Sequence, residues 1–246
     1  MAAQHEIIAN SLTRDILSGR YRPGERLPSE RDLAGRFDVN RGAVREAVKT
    51  LQQLRIVDVQ PGGARVASVE DASFDVIGKL LEVHDVPDPD LLTQVLQVIG
   101  ALFKLAAETA IEKASEAEIL NIAGRARRMR EAIRSAASGS HEEDMVARFE
   151  LMRAVMEVSG NLATRIVSRS LLTQVATHVG TLVDYYEVVE PNRYVAAMAE
   201  FELALRERDR ARLRDSLDAI TDLSRETIVR AIERAAEPPR REASGR

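Results

Sequence analysis

The chain has 246 residues, of which 45% are hydrophobic and 30% charged, and its formal net charge is −4. This composition is typical of a folded protein with one large domain or two modest ones. The absence of cysteine excludes disulfides, thiolate zinc sites and cysteine nucleophiles. No segment approaches the roughly 18 apolar residues of a membrane span, and residues 1–10 lack the apolar core of a signal sequence. We therefore expect no membrane partner and a cytoplasmic location.

The charge is distributed unevenly along the chain. Residues 1–67 contain 11 Lys and Arg against 8 Asp and Glu, whereas residues 68–246 contain 24 against 31. Local basic faces matter more for phosphate binding than the total charge does. The negative total therefore does not exclude a nucleic-acid partner for the N-terminal part, although small charge differences between segments are common.

The N-terminal part has the element order of a winged helix-turn-helix. A helical period over residues 5–18 is followed by two short helices, predicted over residues 30–37 and about 40–54 and joined by a tight turn. Alternating residues 56–60 and 64–67 flank a Pro-Gly-Gly tip and predict a two-stranded hairpin. The hairpin would be the wing.

Two local signals place the first of these short helices. Ser29 is a good N-cap, and Asp32 follows three residues later as an acidic variant of the capping box. The preceding residues 21–28 are rich in turn formers, so we predict an ordered loop there.

The second short helix carries a basic stripe. Arg41, Arg45 and Lys49 recur at four-residue spacing and so lie on one face, opposite an apolar face. Such a stripe fits base edges and phosphates in the major groove of DNA. A solvated surface explains any single arginine of the stripe equally well, but it explains the ordered set less well.

The segment YRPGERLPSERDLAGRFDVNRGAVREAVKTLQQLRIVDVQPGGARV resembles the DNA-binding domain of the GntR family of regulators, through PGERLPSERDLA, NRGAVREA and the PGG wing. The resemblance covers roughly residues 5–67. It implies a homodimer that binds a pseudo-palindromic site in double-stranded DNA. The residues that it implies as DNA contacts are Arg31, Asn40, Arg41, Gly42, Ala43, Arg45 and Gly62.

The rest of the chain has a helical period, so the predicted fold class is mainly α. We predict a DNA-binding domain over residues 1–70, a linker over 71–88 with a short helix over 74–81, an all-helical domain over 89–237 and a disordered tail over 238–246. The long helices are predicted at about 90–112, 115–137, 142–158, 161–187, 191–207 and 209–236. The acidic run 142–144 is expected to cap its helix and face solvent.

The helical part resembles the FadR-type C-terminal domain of the same family, through MEVSGN at residues 156–161, LAAE at residues 105–108 and the Arg208-Asp209 pair. The resemblance implies a dimerisation domain with an effector pocket between its helices. Many members bind a metal there, but the matching positions hold residues that cannot replace the Asp and His ligands. These residues are Arg148, Met152, Met198 and Ile220. We therefore predict no metal and no cofactor.

Many members also hold an effector carboxylate with an arginine, and the matching position here is Ile99. What remains is an apolar pocket, for which we expect a hydrophobic effector such as a fatty acyl group or acyl-CoA. An ordinary bundle core gives the same pattern of Met and aromatic residues. The predicted effector-binding residues are Ile99, Phe103, Met152, Met156, Tyr185, Tyr186, Met198 and Phe201.

Three functions remain open on the sequence alone. The first is a DNA-binding transcriptional regulator, a repressor as most members are, whose operator binding a small molecule modulates. The second is a DNA-binding regulator that is independent of an effector or controlled by a protein partner, because the carboxylate-binding arginine and the metal ligands are missing. The third is an enzyme built on the helical domain. It has the least support, since the sequence has no nucleophile–base pairing, phosphate loop or metal cluster, so we predict that the chain is not an enzyme.

Overall fold

A computed structural model describes residues 3–84, 87–136, 141–182 and 185–236. The chain divides into two compact units, Met1–Asp85 and Val86–Arg246. The described part is mainly helical and contains a single two-stranded antiparallel sheet, which confirms the predicted fold class. The predicted tail lies outside the described residues.

The N-terminal unit begins with three helices and continues into a hairpin. The helices are α1 (Gln4–Leu17), α2 (Glu30–Phe37) and α3 (Arg41–Gln53). The hairpin consists of β1 (Val57–Gln60) and β2 (Gly63–Val66), which pair antiparallel. This order of elements confirms the predicted winged helix-turn-helix.

Side-chain caps set the start of both short helices. At the start of α2, the Ser29 hydroxyl accepts the backbone N–H of Asp32 at 3.3 Å, as predicted. At the start of α3, Asn40 Oδ1 accepts the N–H of Ala43 at 2.9 Å. Between the helices Asp38 is in the left-handed conformation with φ 53°, which ends α2 and turns the chain.

The predicted loop over residues 21–28 does more than connect two helices. The N–H of Leu27 donates to the carbonyl of Ala64, and the N–H of Val66 donates to the carbonyl of Glu25, both at 2.9 Å. The loop therefore lies along β2 as a third extended segment. The physical reason is Leu27, which is only 3% exposed and joins the apolar core of the unit. One buried leucine among turn formers gives no alternating pattern, so the pairing was not predicted.

One apolar core holds the N-terminal unit together. Helix α1 contributes Ile8 and Leu12, α2 contributes Leu33, and α3 contributes Val44 and Leu51, all at most 1% exposed. Burying each of these side chains is worth roughly 1.5–3 kcal/mol. The core fixes the face that α3 turns inward, and so it fixes which face remains exposed.

The segment that follows the hairpin packs on this unit. A short 3-10 helix (Val69–Asp71) precedes α4 (Val76–Leu81), which contacts α1. The side chain of Val76 is 2% exposed and belongs to the same core. The predicted helix over 74–81 thus begins two residues late, because Ser73 and Phe74 form a turn with Val76 and Ile77 before the helix.

The second unit is a helical bundle. Its helices are α5 (Pro89–Lys113), α6 (Glu116–Ala136), α7 (His141–Val158), α8 (Leu162–Thr181), α9 (Pro191–Glu207) and α10 (Arg210–Ala236). Helix α6 packs against α7 and α9, α10 packs against α5 and α9, and α5 also contacts α7 and α8. By length and composition α5 is apolar enough to cross a membrane, but it packs on three bundle helices through buried residues that include Leu92, Ile99 and Phe103.

The prediction of a helix over residues 161–187 is wrong at its C-terminal end. Helix α8 ends at Thr181, and residues 186–190 are not helical. Two features fix the segment between α8 and α9. The N–H of Val189 donates to the Thr227 hydroxyl at 3.1 Å, which docks the segment on α10. Pro191 begins α9 and disfavours a helical conformation at the residue before it.

A glycine allows the close approach of α5 and α10. A Cβ added at Gly100 would lie 2.8 Å from Thr221 Cγ2. We therefore expect Gly100→Ala to lower the free energy of unfolding by about 1 kcal/mol, because overpacking outweighs the gain in helix propensity. The measurement is urea unfolding followed by circular dichroism. An added Cβ at Gly124 on α6 meets no atom within 4 Å, so Gly124→Ala is the matched control and should raise stability by up to about 1 kcal/mol. Equal stabilisation by both variants would contradict the close packing.

Candidate functional site

The N-terminal turn of α3 presents one exposed polar surface. Asn40, Arg41, Gly42 and Arg45 are exposed and Ala43 is half-buried, while the opposite face of the helix is in the core. The predicted contacts on α3 therefore lie together. Asn40 has a structural role as well, because its side-chain oxygen caps the helix. Its amide NH₂ group is not used by the cap.

Carboxylates already neutralise part of the basic stripe. Arg45 Nε lies 2.8 Å from Glu30 Oε2, and Lys49 Nζ lies 2.8 Å from Glu46 Oε1. Bonding to Lys49 lowers the pKa of Glu46 below its usual value, so the carboxylate stays charged. Arg41 has no ion pair within the described part of the chain. An anion that binds Arg45 must therefore compete with the carboxylate of Glu30 for the guanidinium.

The pair between Arg45 and Glu30 predicts a gain-of-binding variant. Glu30→Gln removes a negative charge beside the exposed face and releases Arg45. An exposed pair is worth about 0.2–1 kcal/mol, so we expect DNA affinity to rise by up to about fivefold. Fluorescence anisotropy with a labelled duplex measures it. Glu116→Gln, at an exposed carboxylate in the helical unit, gives the same change in net charge and should leave the affinity unchanged. A weaker complex with Glu30→Gln would show that Glu30 supports binding.

Other cations of this unit have structural roles. Arg36 Nη2 lies 2.8 Å from Asp15 Oδ2, which joins α2 to α1, and Arg20 binds the other oxygen of the same carboxylate at 2.8 Å. The hydrogen bond to Asp15 raises the pKa of Arg36. Arg31, by contrast, has a side chain that is 77% exposed and lies 3.7 Å from Asp32. Of the α2 arginines, Arg31 is therefore the one available to a partner.

The hairpin tip requires glycine. Gly62 and Gly63 have φ values of 104° and 127°, which side chains rarely adopt. A Cβ at Gly63 would also lie 2.8 Å from Arg26 Nε. Gly62 has open space around it and is exposed, as a residue in close contact with a partner must be.

Two exposed arginines on the wing were not predicted. Arg26 and Arg65 face each other across the extra pairing of the loop with β2, and Arg65 Nη1 donates to the carbonyl of Gly24 at 3.0 Å. They add positive charge at the wing. Arg65 could have been found from its outward position in the alternating strand, whereas Arg26 depends on the pairing that the sequence did not indicate.

The second unit contains a cavity of about 240 Å³ between its helices. Most of its wall is apolar and comes from α5, α7, α9 and α10. Six of the predicted residues line it, namely Ile99, Phe103, Met152, Tyr186, Met198 and Phe201. Met156 is buried away from the wall, and Tyr185 lies outside it with 42% of its surface exposed. Tyr186 is 4% exposed, so the side chains of these two neighbours lie in different surroundings.

A charged cluster lies at the cavity. Arg148 is part of the wall, and its Nε donates to Asp144 Oδ2 at 3.0 Å. Its Nη1 donates to the hydroxyls of Tyr194 and Ser224, and Tyr186 donates its hydroxyl to Asp144 Oδ2 at 2.9 Å. The expectation that the acidic run 142–144 faces solvent is wrong for Asp144, which is fully buried. It is buried because Arg148, one turn later on α7, supplies the counter-charge.

The surroundings of this cluster shift its proton affinities. Burial raises the pKa of the Tyr186 phenol well above its usual value. Burial opposes the charge of Arg148, but the interactions with Tyr186, Tyr194 and Asp144 outweigh it and raise the pKa. Arg148 is therefore a permanent cation at the cavity wall.

The four positions that the sequence resemblance matches to metal ligands all lie at this cavity. Arg148, Met152, Met198 and Ile220 line it together. The residues that the structure describes hold no group of three or more His, Cys, Asp or Glu side chains close enough to bind one metal ion. A guanidinium and three apolar side chains do not fit a cation.

The exposed basic helix start, the helix-turn-helix that presents it and the glycine wing define the N-terminal unit as a winged helix-turn-helix. Residues 4–66 match the family model described as "Bacterial regulatory proteins, gntR family". The N-terminal unit is therefore similar to the part of that family which this model describes.

Several curated relatives match a part of the chain. The regulator Mce2R of Mycobacterium tuberculosis is 36% identical over 112 residues, which are 44% of this chain and 46% of Mce2R. The Uxu operon regulator of Haemophilus influenzae is 33% identical over 118 residues, which are 47% of this chain and 41% of that protein. The galactonate operon transcriptional repressor of Escherichia coli is 29% identical over 119 residues, 47% of this chain and 51% of the repressor. The chain thus spans about half the length of the curated relatives it matches.

Solved structures extend the likeness of fold to nearly the whole chain. A structure of Lar, described as controlling the Listeria monocytogenes agr system, has a TM-score of 0.55 at 18% identity, covering 95% of this chain and 98% of Lar. E. coli McbR/YncC has a TM-score of 0.51 at 17% identity, covering 96% of this chain and all of McbR/YncC. At these identities the comparison establishes a shared fold only.

Proposed function

We propose that the chain is a sequence-specific, cytoplasmic DNA-binding transcriptional regulator, most simply a repressor, whose operator binding responds to a small molecule in the bundle cavity. The observation that carries the proposal is the exposed start of α3, where Arg41 and Arg45 project from a helix whose other face is locked in the core. The C-terminal unit is then a FadR-type effector domain.

The geometry of the N-terminal unit supports a major-groove interaction. In a helix-turn-helix the N-terminal residues of the second helix reach base edges, and arginine pairs with guanine through two hydrogen bonds. The side chain of Arg45 is 63% exposed and that of Arg31 is 77% exposed. With Arg41, they put three cations within reach of the duplex, while the wing at Gly62 lies near the minor groove.

A homodimer on a pseudo-palindromic operator completes the DNA-binding proposal. One winged unit presents a single recognition helix, which reads only one half-site. Apolar side chains on α8 support association of the bundles, because Leu162 and Ile166 are 58% and 60% exposed. Twofold pairing of such surfaces is the commonest arrangement of soluble oligomers.

The cavity supports control by a hydrophobic effector. An engineered apolar cavity of about 150 Å³ binds benzene, and the cavity in this bundle measures about 240 Å³. Its wall combines apolar side chains with a few convergent polar groups, as ligand pockets do. A fatty acyl group, free or carried by coenzyme A, is the effector class that the apolar wall favours.

Native mass spectrometry of the purified protein tests the effector part directly. We expect a dimer that carries a small apolar molecule, and denaturing extraction identifies that molecule. Adding it back should change the affinity for an operator duplex measured by fluorescence anisotropy. An empty dimer whose DNA binding responds to no extracted molecule would favour a regulator controlled by a protein partner. A stoichiometric metal would contradict the assignment of the four cavity positions.

A further inference from the structure

Three arginines converge on one buried carboxylate where α6 packs against α9. Glu202 Oε1 accepts hydrogen bonds from Nη2 of Arg127 and from Nη2 of Arg206, both at 3.0 Å. Arg130 Nη2 lies 3.3 Å from Glu202 Oε2. The side chain of Glu202 is 9% exposed, whereas those of Arg127 and Arg206 are 50% and 42% exposed. The cluster therefore extends from the contact between the two helices to the surface of the bundle.

The charges of this cluster do not balance. One arginine is enough to neutralise Glu202, and Arg130, whose side chain is only 22% exposed, lies against it. Arg127 and Arg206 therefore leave two positive charges in excess, and like charges held close together repel each other. The excess is local, because residues 68–246 contain 24 Lys and Arg against 31 Asp and Glu. A bound anion would remove this repulsion.

The two outer guanidiniums are close enough to bind one ligand together. Because both Nη2 atoms bond to the same oxygen of Glu202, they lie at most about 6 Å apart. A guanidinium has five N–H groups, and Arg127 and Arg206 each use one in a hydrogen bond within the described part of the chain. Further along α6, the exposed Glu131 and Arg134 have opposite charges, so they leave the excess unchanged. A ligand at this surface meets two cations with several N–H donors to offer.

We propose that Arg127 and Arg206 form a binding site for a phosphate group, free or carried by a small molecule, and that Arg130 adds positive charge from the interior. A phosphate monoester carries a charge of about −1.5 to −2 at pH 7 and has three acceptor oxygens, so it matches the excess charge and can bond to both guanidiniums. Arginine also binds phosphate through two parallel hydrogen bonds. A carboxylate would leave one positive charge unbalanced.

The phosphate site is separate from the proposed effector site and from the proposed DNA-binding surface. None of its three arginines lines the cavity, and all of them lie on helices of the second unit, whereas the DNA-binding surface lies on the first unit. The inference therefore goes beyond the proposed function and does not depend on it.

A matched set of small polar compounds tests the site on the full-length protein. Glycerol 3-phosphate, glycerate and glycerol differ chiefly in charge, and none has an apolar body that would fill the cavity. We expect isothermal titration calorimetry at low salt to show glycerol 3-phosphate binding at least about tenfold more tightly than glycerate, and no binding of glycerol. Inorganic phosphate is the fourth compound, and the tighter of the two phosphates identifies the source of the group. Equal affinities for glycerate and glycerol 3-phosphate, or binding of neither, would overturn the inference.

A double variant locates the binding site. Arg127→Gln combined with Arg206→Gln removes the excess charge but leaves Arg130 to neutralise Glu202, so we expect a circular dichroism spectrum like that of the wild type. Glycerol 3-phosphate should bind at least about tenfold more weakly. If the double variant does not fold, Arg127→Gln alone, which keeps two arginines on Glu202, takes its place and should also weaken binding.

Two controls separate this site from other basic groups. Arg193→Gln combined with Arg230→Gln removes two arginines with side chains 66% and 54% exposed, each paired with one carboxylate, and should bind glycerol 3-phosphate like the wild type. Arg45→Ala should also bind it like the wild type. Equal weakening in both double variants, or loss of binding in Arg45→Ala alone, would overturn the inference. Neither result bears on sequence-specific DNA binding, which is measured separately.

Discussion

Arg45→Ala should abolish sequence-specific DNA binding while leaving the fold intact. The side chain is 63% exposed on the first turns of α3, and its contact within the protein is an exposed pair with Glu30, so its removal costs the unit little stability. On DNA, an arginine that makes two hydrogen bonds to a base contributes about 1–3 kcal/mol, equivalent to about a 5- to 150-fold change in affinity per half-site. In a dimer both half-sites lose this contribution. The measurement is an electrophoretic mobility shift at fixed salt.

The helical unit provides a matched control for this variant. The side chain of Arg128 is 66% exposed and lies 3.5 Å from Glu150, so Arg128→Ala removes the same charge from a similar exposed pair. It should bind the operator like the wild type. Equal loss of affinity in both variants would show that total charge, and not the face of α3, governs binding. Unchanged binding by Arg45→Ala would contradict the assigned interface.

The largest effect on stability is expected at the ion pair beside the cavity. Asp144→Ala leaves the guanidinium of Arg148 buried without its counter-charge, and breaking a buried pair from one side costs about 3–5 kcal/mol. The fully buried carboxylate also accepts the hydroxyl of Tyr186, so a second polar group loses its partner. Urea unfolding followed by circular dichroism measures the loss.

Two further variants separate this effect from simple loss of packing. The double variant Asp144→Ala with Arg148→Met removes both charges and should recover much of the lost stability, because replacement of a buried pair by apolar groups is often nearly neutral. Glu226→Ala breaks an exposed pair of the same spacing with Arg230 and should cost less than about 1 kcal/mol. A similar loss for both single variants would contradict a buried, poorly solvated pair.

Local signals were sufficient to predict most of the fold. The Ser29 cap and the apolar period located α2 and α3, and the Pro-Gly-Gly tip located the hairpin, because these features depend on residues close in sequence. The errors arose where the backbone conformation depends on residues that are distant in sequence. Leu27 is extended because β2 pairs with its segment, and the segment around Val189, which follows the end of α8, is bound by Thr227. Neither partner can be identified from the residues close in sequence to the segment that it binds.

The cavity illustrates the same limit for function. The helical period placed six of the predicted residues at the wall, since helix faces follow from spacing. Arg148 was identified only as a residue unable to bind a metal, and Asp144 was expected in solvent. Their four-residue spacing on α7 was available in the sequence, but their burial depends on Tyr186 and on Tyr194 of α9, which no spacing indicates.

Selection from a random duplex library tests the central claim most directly. The full-length wild type and the Arg45→Ala variant are each used for the same number of rounds of binding selection at the same salt concentration. The recovered duplexes are then sequenced. We predict that the wild type enriches a motif with twofold symmetry and half-sites about one helical turn apart, and that the variant enriches none. Recovery of no motif by the wild type, or of the same motif by the variant, would contradict a regulator that reads DNA through the start of α3.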